Sequence, residues 1–204
     1  MGDEVDKARF PTVAHYLETL PEGVHSYPDA KIRGGLVGSI LQEDRFSDAR
    51  GALPDVVCDW IEQPPVQSEW IPQVVARVLL RALYDDHFKT REAYLKWAYE
   101  SQRRVISGPL YKMLFLGVTP ERLIKTSASR YGHFHQGLRM EILDRSPNAA
   151  TGLLHHPPRL CTPFDHHATI EGFRVGLELA GGRDVVSNVA EYDDDSALLK
   201  FSWR

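Results

Sequence analysis

The chain has 204 residues and a formal net charge of −4 at pH 7, with positive and negative side chains interspersed along it. Hydrophobic residues make up 43% of the chain and charged residues 25%, which are ordinary proportions for a globular protein. The nearest approach to a basic run is Arg103-Arg104, and two residues do not make the basic stripe that is typical of a nucleic-acid-binding protein. We therefore expect no nucleic-acid partner.

The N-terminal segment and the cysteines indicate the cellular compartment. Residues 1–9 are charged and lack the apolar core of a secretory signal. No stretch of the sequence is apolar over the length that a bilayer span needs. We expect a cytoplasmic protein with no membrane span, in which Cys58 and Cys161 are reduced thiols; a disulfide between them is the less favoured alternative.

Helical patterns dominate the first 135 residues. Apolar side chains recur there at helical spacing, and Ser68, Thr90 and Thr119 are good N-cap residues. The segment 31–41 is rich in glycine and fits either a strand or a tightly packed helix, because its periodicity does not decide. In chain order we predict a loose polar leader over 1–10, a helix over 11–20, a helix over 68–84, a helix from Thr90 to the break at Gly108-Pro109, and a helix over 119–135.

The pattern changes period after Gly137. Leu138, Met140 and Ile142 fall at alternate positions, which is typical of a half-buried strand. We predict strands over 138–143 and 151–155, a helix over 165–180, and strands over 185–192 and 197–203. The expected product is an α+β fold, a helical layer packed on an antiparallel sheet, formed as a single domain over residues 11–204 with a C-terminal β-β-α-β-β unit.

This C-terminal order resembles a known fold group. The segment 172–181, followed by a strand and by a second strand that ends at Phe201-Ser202-Trp203, resembles the end of vinyl-reductase-like domains. Those domains belong with haem-nitric-oxide-binding domains and the small subunits of the TRAPP vesicle-tethering complex. The rest of the chain resembles a large myxobacterial family of uncharacterised proteins, on Trp70 with Pro72, Gly108-Pro109-Leu110-Tyr111, Pro120-Glu121-Arg122-Leu123, and His135 with Gly137.

The chain departs from these relatives at two places. Vinyl-reductase-like domains have cysteines in the last two strands, where this chain has Val189 and Ala197. The haem-binding branch holds the haem propionates with Tyr, Ser and Arg at alternating positions. The nearest stretch here is Thr126, Ala128 and Arg130, which matches only the Arg. On this comparison we expect haem to be an unlikely cofactor.

Aromatic side chains on the predicted helices are candidates for a ligand pocket. They lie on neighbouring helices, so they can line a site for an apolar ligand, with a histidine and a tyrosine as polar contacts. An aromatic stripe at helical spacing is also typical of plain core, and that alternative stays open. The predicted ligand-binding residues are Trp97, Tyr99, Tyr111, Phe115, Tyr131, Phe134 and His135.

Histidines are concentrated between the second strand and the last helix. Imidazole, thiolate and carboxylate groups together suit Zn²⁺, so this stretch is a candidate metal site. Adjacent histidines on a strand point to opposite faces, so at most one of His155 and His156 can join such a site. The alternative is a polar loop in which Asp165 caps the helix and His166-His167 lie in its exposed first turn. The candidate metal ligands are His155, His156, Cys161, Asp165, His166 and His167.

The predicted last helix carries one pair of glycines on a single face. Gly172 and Gly176 lie four residues apart on one face, which allows close approach of another backbone. The approaching element is either a second helix, for example across a dimer, or the protein's own sheet. We favour packing against the sheet.

The resemblance implies a sensing, scaffold or lipid-binding role, often in dimers, and no particular reaction. Our first hypothesis is a non-enzymatic regulatory or sensory module that forms a homodimer, binds a small apolar ligand and has a signalling protein as partner. One alternative is a metal-dependent enzyme that uses the histidine-rich stretch, and another is an interaction scaffold with no ligand. No catalytic residues are predicted, because Ser107 and Ser127 lack the strand–turn–helix context of a hydrolase nucleophile.

Overall fold

The computed structural model describes residues 2–43, 46, 49–108, 111 and 117–204. The contacts within the chain form two compact units, Met1–Tyr94 and Leu95–Arg204, whereas the sequence predicts a single domain over 11–204. Within the described residues, no helix is both long and apolar enough to cross a membrane.

The first unit is mainly helical, with one pair of short strands. Strand β1 pairs with β2 in antiparallel fashion, so that Ile32 lies opposite Ile71. The core is apolar and includes the fully buried Phe10 and Tyr94. In chain order the elements are α1 (Pro11–Thr19), a short 3-10 turn (Gly23–His25), β1 (Lys31–Arg33), α2 (Gly35–Glu43), α3 (Asp55–Glu62), β2 (Trp70–Pro72), α4 (Gln73–His87) and the start of α5 (Arg91–Ser107).

In this unit the structure decides one segment that the sequence left open and moves one predicted helix start. The ambiguous segment 31–41 contains both structures, because β1 ends at Arg33 and α2 begins at Gly35. The helix predicted to start at Ser68 starts at Gln73 instead. Residues 70–72 of the predicted helix instead form β2, whose main chain pairs with β1. This tertiary pairing overrides the local capping signal at Ser68.

Residues 2–10, predicted as a loose leader, contact the rest of the first unit. The Asp6 main-chain N–H donates to the Ala52 carbonyl oxygen at 2.9 Å. The Arg9 guanidinium donates to both carboxylate oxygens of Asp86, at 3.0 and 2.8 Å. Phe10 is fully buried, so the chain is held in place before α1 begins.

The second unit is a four-stranded antiparallel sheet with helices on one face. The strand order is β4-β5-β7-β6, and every neighbouring pair is antiparallel. This confirms the predicted α+β fold class and its C-terminal β-β-α-β-β unit. After α5, the described elements are α6 (Pro120–Phe134), β3 (His135–Gln136), β4 (Arg139–Ser146), β5 (Ala149–His155), α7 (Pro163–Leu179), β6 (Val186–Tyr192) and β7 (Ser196–Ser202).

Alternation along the strands gives the sheet two different faces. On β5, Ala150 and Leu154 are buried, while Thr151 and Leu153 between them are half-buried. The buried side chains form the inner face, on which the helices pack through contacts such as Phe173 of α7 against Phe201 of β7. The outer face carries the other half of each strand, as expected for an antiparallel sheet covered on one side.

Glycines shape both the packing and the end of α7. A Cβ at Gly172 would clash with Oε1 of Gln102, so α7 approaches α5 of the same chain closely there. The neighbour of this glycine is therefore a helix of the same chain and not the sheet that the sequence favours. Beyond the helix, Gly181 has φ +95°, a conformation that favours glycine, and its N–H donates to the Glu178 carbonyl at 3.0 Å.

Candidate functional site

The site is built on α6, whose start is fixed by a strong local signal. Thr119 precedes Pro120 at the first helical position, and the Thr119 side chain accepts from the Arg122 N–H at 3.4 Å. The Trp203 indole donates to Glu121 at 3.3 Å, which ties the end of the sheet to the start of the helix. The hydrogen bond from the Thr119 side chain is the main reason that the pKa of Glu121 lies below its ordinary value.

Four aromatic rings form a continuous row from the sheet to the end of α6, which we call the aromatic row: Phe201, Phe173, Tyr131 and His135. Successive ring centroids are 5.4, 6.0 and 4.1 Å apart in that order. The Tyr131 ring is nearly parallel to both neighbours, at 11° to Phe173 and 17° to His135. Phe201 and Tyr131 are buried, whereas His135 is half-buried and ends the row.

A cationic side chain, Arg130, directly precedes Tyr131 of this row on the same helix. Arg130 is half-buried, and its Nε donates to the Thr126 hydroxyl at 2.8 Å. The same hydroxyl donates to the Arg122 carbonyl at 2.9 Å, so the threonine fixes the direction of the guanidinium. An oriented guanidinium is well suited to pair with a carboxylate.

The structure brings four of the predicted ligand-binding residues together as two ring pairs. Tyr131 stacks on His135, and Tyr111 contacts Phe134 with centroids 5.6 Å apart. Trp97 is half-buried on α5. Phe115 lies outside the described residues. Phe173 and Phe201 are absent from the predicted set; they lie on the predicted helix 165–180 and the predicted strand 197–203.

Tyr99, also predicted to contact a ligand, instead joins α5 to α7. Its hydroxyl donates to Glu178 at 2.5 Å and accepts from Arg103 at 2.9 Å. Arg174 donates to the other oxygen of Glu178 at 3.1 Å and lies over the Tyr99 ring, 5.0 Å from its centroid. Burial, together with the hydrogen bond to Glu178, raises the pKa of Tyr99.

The histidine-rich stretch, which we call the histidine segment (residues 155–167), is spread over several environments. His155 is half-buried on the outer face of the sheet, with Nε2 3.6 Å from Glu141. His156 and His166 are buried side by side, with ring centroids 5.2 Å apart. The His167 Nδ1 donates to the Pro163 carbonyl at 2.6 Å. Cys161 is buried, as is Cys58, and the two do not form a disulfide.

Asp165 has a structural role at the start of α7. Its carboxylate accepts from the main-chain N–H of Thr162 at 2.8 Å and from the Thr162 hydroxyl at 2.9 Å. The helix begins at Pro163, two residues before the predicted start, and Thr162 is the N-cap. In the part of the chain that the structure describes, no group of three or more His, Cys, Asp or Glu side chains is arranged to hold a metal ion.

Comparison with known proteins identifies the fold. No protein-family model matches the chain, and no curated protein matches it. A structure from work on haem distortion in the H-NOX family aligns over 85% of this chain and 95% of its own, with a TM-score of 0.57 and 12% identity. An oxygen-binding H-NOX domain related to soluble guanylate cyclases aligns over 96% of this chain and 95% of its own, with a TM-score of 0.52 and 10% identity.

The unliganded Fe(II) H-NOX protein from K. algicida gives a third match, over 85% of this chain and 97% of its own, with a TM-score of 0.53 and 10% identity. The chain has the H-NOX fold. The fold group inferred from the sequence is therefore confirmed, while membership of the myxobacterial family stays a prediction.

The H-NOX fold corrects one expectation. From the sequence, haem is expected to be an unlikely cofactor, because residues 126, 128 and 130 match only one residue of the propionate-binding pattern. That conclusion is wrong, since solved structures with this fold include proteins described by their haem distortion and haem redox potential. At an identity of 12% or less, a mismatch in one short motif is too narrow a test to exclude a cofactor.

Proposed function

We propose that this chain is a ligand-binding sensory module, and that its ligand is a flat, largely apolar molecule with carboxylates, for which haem is the first candidate. The observation that supports this proposal is the aromatic row, which ends at the half-buried His135; Arg130 precedes Tyr131 of the row on α6. The shared H-NOX fold supports the same conclusion.

The residues present are compatible with haem. Haem requires an axial ligand such as histidine, apolar contact for its ring and cationic partners for its carboxylates. His135 has an imidazole at the accessible end of the aromatic row, and Arg130 has a guanidinium oriented by Thr126. All three kinds of group thus occur together on the last turns of α6 and the first residue after it.

Bound haem would supply an iron atom that binds small diatomic ligands. The chain's own residues would bind and orient this ligand. His135 would hold the ligand through a ring nitrogen, Arg130 would pair with a carboxylate, and Tyr131 with Phe173 would exclude water from the apolar side. A sensory module of this kind would pass the bound state to a signalling protein, and we propose that it does so as a homodimer.

Titration with haem tests the proposal directly. We expect a saturable change in the haem absorption spectrum at one equivalent per chain, and weaker binding of metal-free protoporphyrin, because only haem has an iron atom that the His135 imidazole could bind. His135→Ala should abolish the difference between the two ligands. His133→Ala is the matched control, because His133 is an exposed histidine in the last turn of the same helix.

A second pair of variants separates the carboxylate contact from the axial bond. Arg130→Gln should weaken haem and protoporphyrin equally, by about tenfold for the loss of a charge-assisted hydrogen bond. Arg122→Gln changes an exposed arginine of the same helix and should have no effect. Absence of saturable binding for both ligands would reject the proposal and favour the interaction scaffold with no ligand.

A further inference from the structure

The outer face of the four-stranded sheet consists of a central strip between two margins. The central strip is formed by the outward side chains of β5 and β7, and Leu153 lies opposite Leu198 at its middle. Both leucines are half-buried, so part of each side chain is open to solvent. Lys200 is the one lysine or arginine in the strip. The outward residues of the central strip are Ala149, Thr151, Leu153, His155, Ser196, Leu198, Lys200 and Ser202.

The margins, which are the outward side chains of the edge strands β4 and β6, carry carboxylates on both sides of the central strip. Glu141 already has a partner, because the Arg139 guanidinium lies 3.0 Å from it. In the part of the chain that the structure describes, the other three carboxylates have no ion-pair partner and are exposed. The four carboxylates are Glu141 and Asp144 on β4, Glu191 on β6, and Asp193 directly after β6.

Both edge strands are shaped against the addition of a further strand. The ladder is interrupted on β4 between Ile142 and Asp144, and on β6 between Val189 and Glu191. Bulges on edge strands are a common device that prevents edge-to-edge pairing. An exposed surface with apolar side chains and a charged rim is typical of an interaction site. A partner of this sheet therefore binds on the outer face and not along an edge.

We propose that the outer face binds a basic amphipathic helix of a partner protein, which lies along the central strip. The width of the face fits one helix, because β4 and β6 are three strand spacings apart, roughly 14 Å, and a helix with its side chains is about 10–12 Å wide. The length fits about four turns. β5 and β7 have 7 residues each, and such a strand extends about 24 Å, as do about 16 helical residues.

The charges indicate what kind of helix binds. The apolar stripe of an amphipathic helix packs on Leu153 and Leu198, and the residues on either side of that stripe then face the two margins. Lysine or arginine at those positions is complementary to the carboxylates of both margins, whereas an acidic helix would meet like charge on both sides. Lys200 is the exception within the strip, so the helix has an uncharged or acidic residue above it.

Strand β7 connects this outer face to the candidate ligand site. Leu198 and Lys200 point outward from it, while Phe201 points inward and contacts Phe173 of the aromatic row, with ring centroids 5.4 Å apart. A change in the packing of the aromatic row therefore acts on the strand that carries the docking residues. In this respect the inference rests on the proposed sensory function, because the helix would belong to the signalling protein that responds to the bound ligand.

Fluorescence anisotropy of the full chain with a labelled synthetic helix tests the proposal. The probe carries leucines at helical spacing on one face and lysines on both sides of that face, and a comparison probe has glutamate in place of every lysine. We expect saturable binding of the lysine probe, which weakens as the salt concentration rises, and no binding of the glutamate probe. Leu198→Ser should weaken binding by about tenfold, through the lost burial of one leucine.

Charge variants determine whether the probe lies on the outer face. Glu191→Lys should weaken binding of the lysine probe by about fivefold, and Lys200→Glu should strengthen it by about the same factor. A gain in affinity cannot come from a variant that fails to fold. Glu100→Lys and Lys125→Glu are the matched controls, because they make the same charge changes at exposed positions of α5 and α6 and should leave the affinity unchanged.

The proposal would be overturned by equal binding of the two probes, by absence of binding, or by affinities that Glu191→Lys and Lys200→Glu leave unchanged. Sedimentation equilibrium without a probe covers a competing occupant. Self-association of the native chain that Leu198→Ser abolishes would assign the outer face to a second copy instead. Neither measurement contains haem, so helix docking and haem binding can fail independently.

Discussion

The aromatic row and the histidine segment both contain groups that can do chemistry. In the aromatic row, residues from separate elements are brought together, whereas in the histidine segment neighbours in sequence are spread apart. The aromatic row draws its four rings from α6, the residue after it, α7 and β7, and those rings face one another. The histidine segment is continuous in sequence, yet its side chains point to the outer face, to the interior and to the local backbone. Proximity in the sequence is therefore a poor guide to a shared site here.

The helix α7 connects these two regions and explains the difference. Its first turn belongs to the histidine segment, where Asp165 binds Thr162 and His167 binds the Pro163 carbonyl. Its middle belongs to the aromatic row, where Phe173 packs between Tyr131 and Phe201. Polar groups at a helix start are used to satisfy free main-chain groups, while side chains in the middle are free to pack in the interior.

The largest expected effect comes from removing a ring at the sheet end of the aromatic row. Phe201 is 3% exposed, and its ring contacts Phe173. We expect Phe201→Ala to lower the free energy of unfolding by about 3–5 kcal/mol, through lost burial and the remaining cavity. Urea denaturation followed by tryptophan fluorescence measures the change.

His155→Ala provides the comparison from the histidine segment. Its side chain is half-buried on the outer face, so we expect a change within about 0.5 kcal/mol. Equal losses for Phe201→Ala and His155→Ala would show that the two regions do not differ in their contribution to the core.

A smaller effect is expected at the start of α7. Asp165→Ala removes the acceptor for two hydrogen bonds from Thr162, and we expect a loss of about 1–2 kcal/mol in the free energy of unfolding. Asp165→Asn keeps one carbonyl oxygen as acceptor and should recover most of that loss. Thermal unfolding of both variants measures the difference.

The zinc hypothesis makes the opposite prediction for the same variants. If Asp165 were a metal ligand, a chelator would lower the melting temperature of the native chain and leave Asp165→Ala unchanged. Asparagine would then be as harmful as alanine, because it lacks the carboxylate charge. Melting curves of the native chain and the two variants, with and without chelator, therefore distinguish helix capping by Asp165 from metal binding.

Much of the fold is predictable because the local signals agree with the tertiary structure. The alternation that begins at Leu138 matches β4, and Thr119 before Pro120 marks the start of α6 correctly. The first unit was less predictable. The sequence at Ser68 is a good helix start, but the main chain after it pairs with β1, and that pairing depends on residues far away in the sequence.

The candidate site was predictable only in part, for a similar reason. Tyr131 and His135 lie four positions apart in sequence, so their contact at the end of α6 is visible as helical spacing. Phe173 and Phe201 are readable as apolar positions on a helix and a strand. Their addition to the aromatic row depends on how α7 packs on the sheet, and no local pattern encodes that packing.

The smallest expected effect is a pH dependence carried by Glu171, which lies on α7 between the two regions. Burial is the main reason that the pKa of Glu171 lies above its ordinary value, although Arg174 opposes this shift with a nitrogen 3.6 Å from the carboxylate. The fold therefore favours the protonated form. The resulting stabilisation is present below the pKa of the unfolded chain and is lost as pH rises through the higher pKa of the folded chain.

Glu171→Gln removes this titration and keeps the shape of the side chain. We expect the native chain to lose stability relative to Glu171→Gln as pH rises from about 4 into the neutral range, since free glutamate titrates near 4.3. Urea denaturation of both proteins at several pH values measures the difference. A relative gain in stability over that range would mean that the ion pair with Arg174 outweighs burial, and that the middle of α7 tolerates charge as readily as its first turn does.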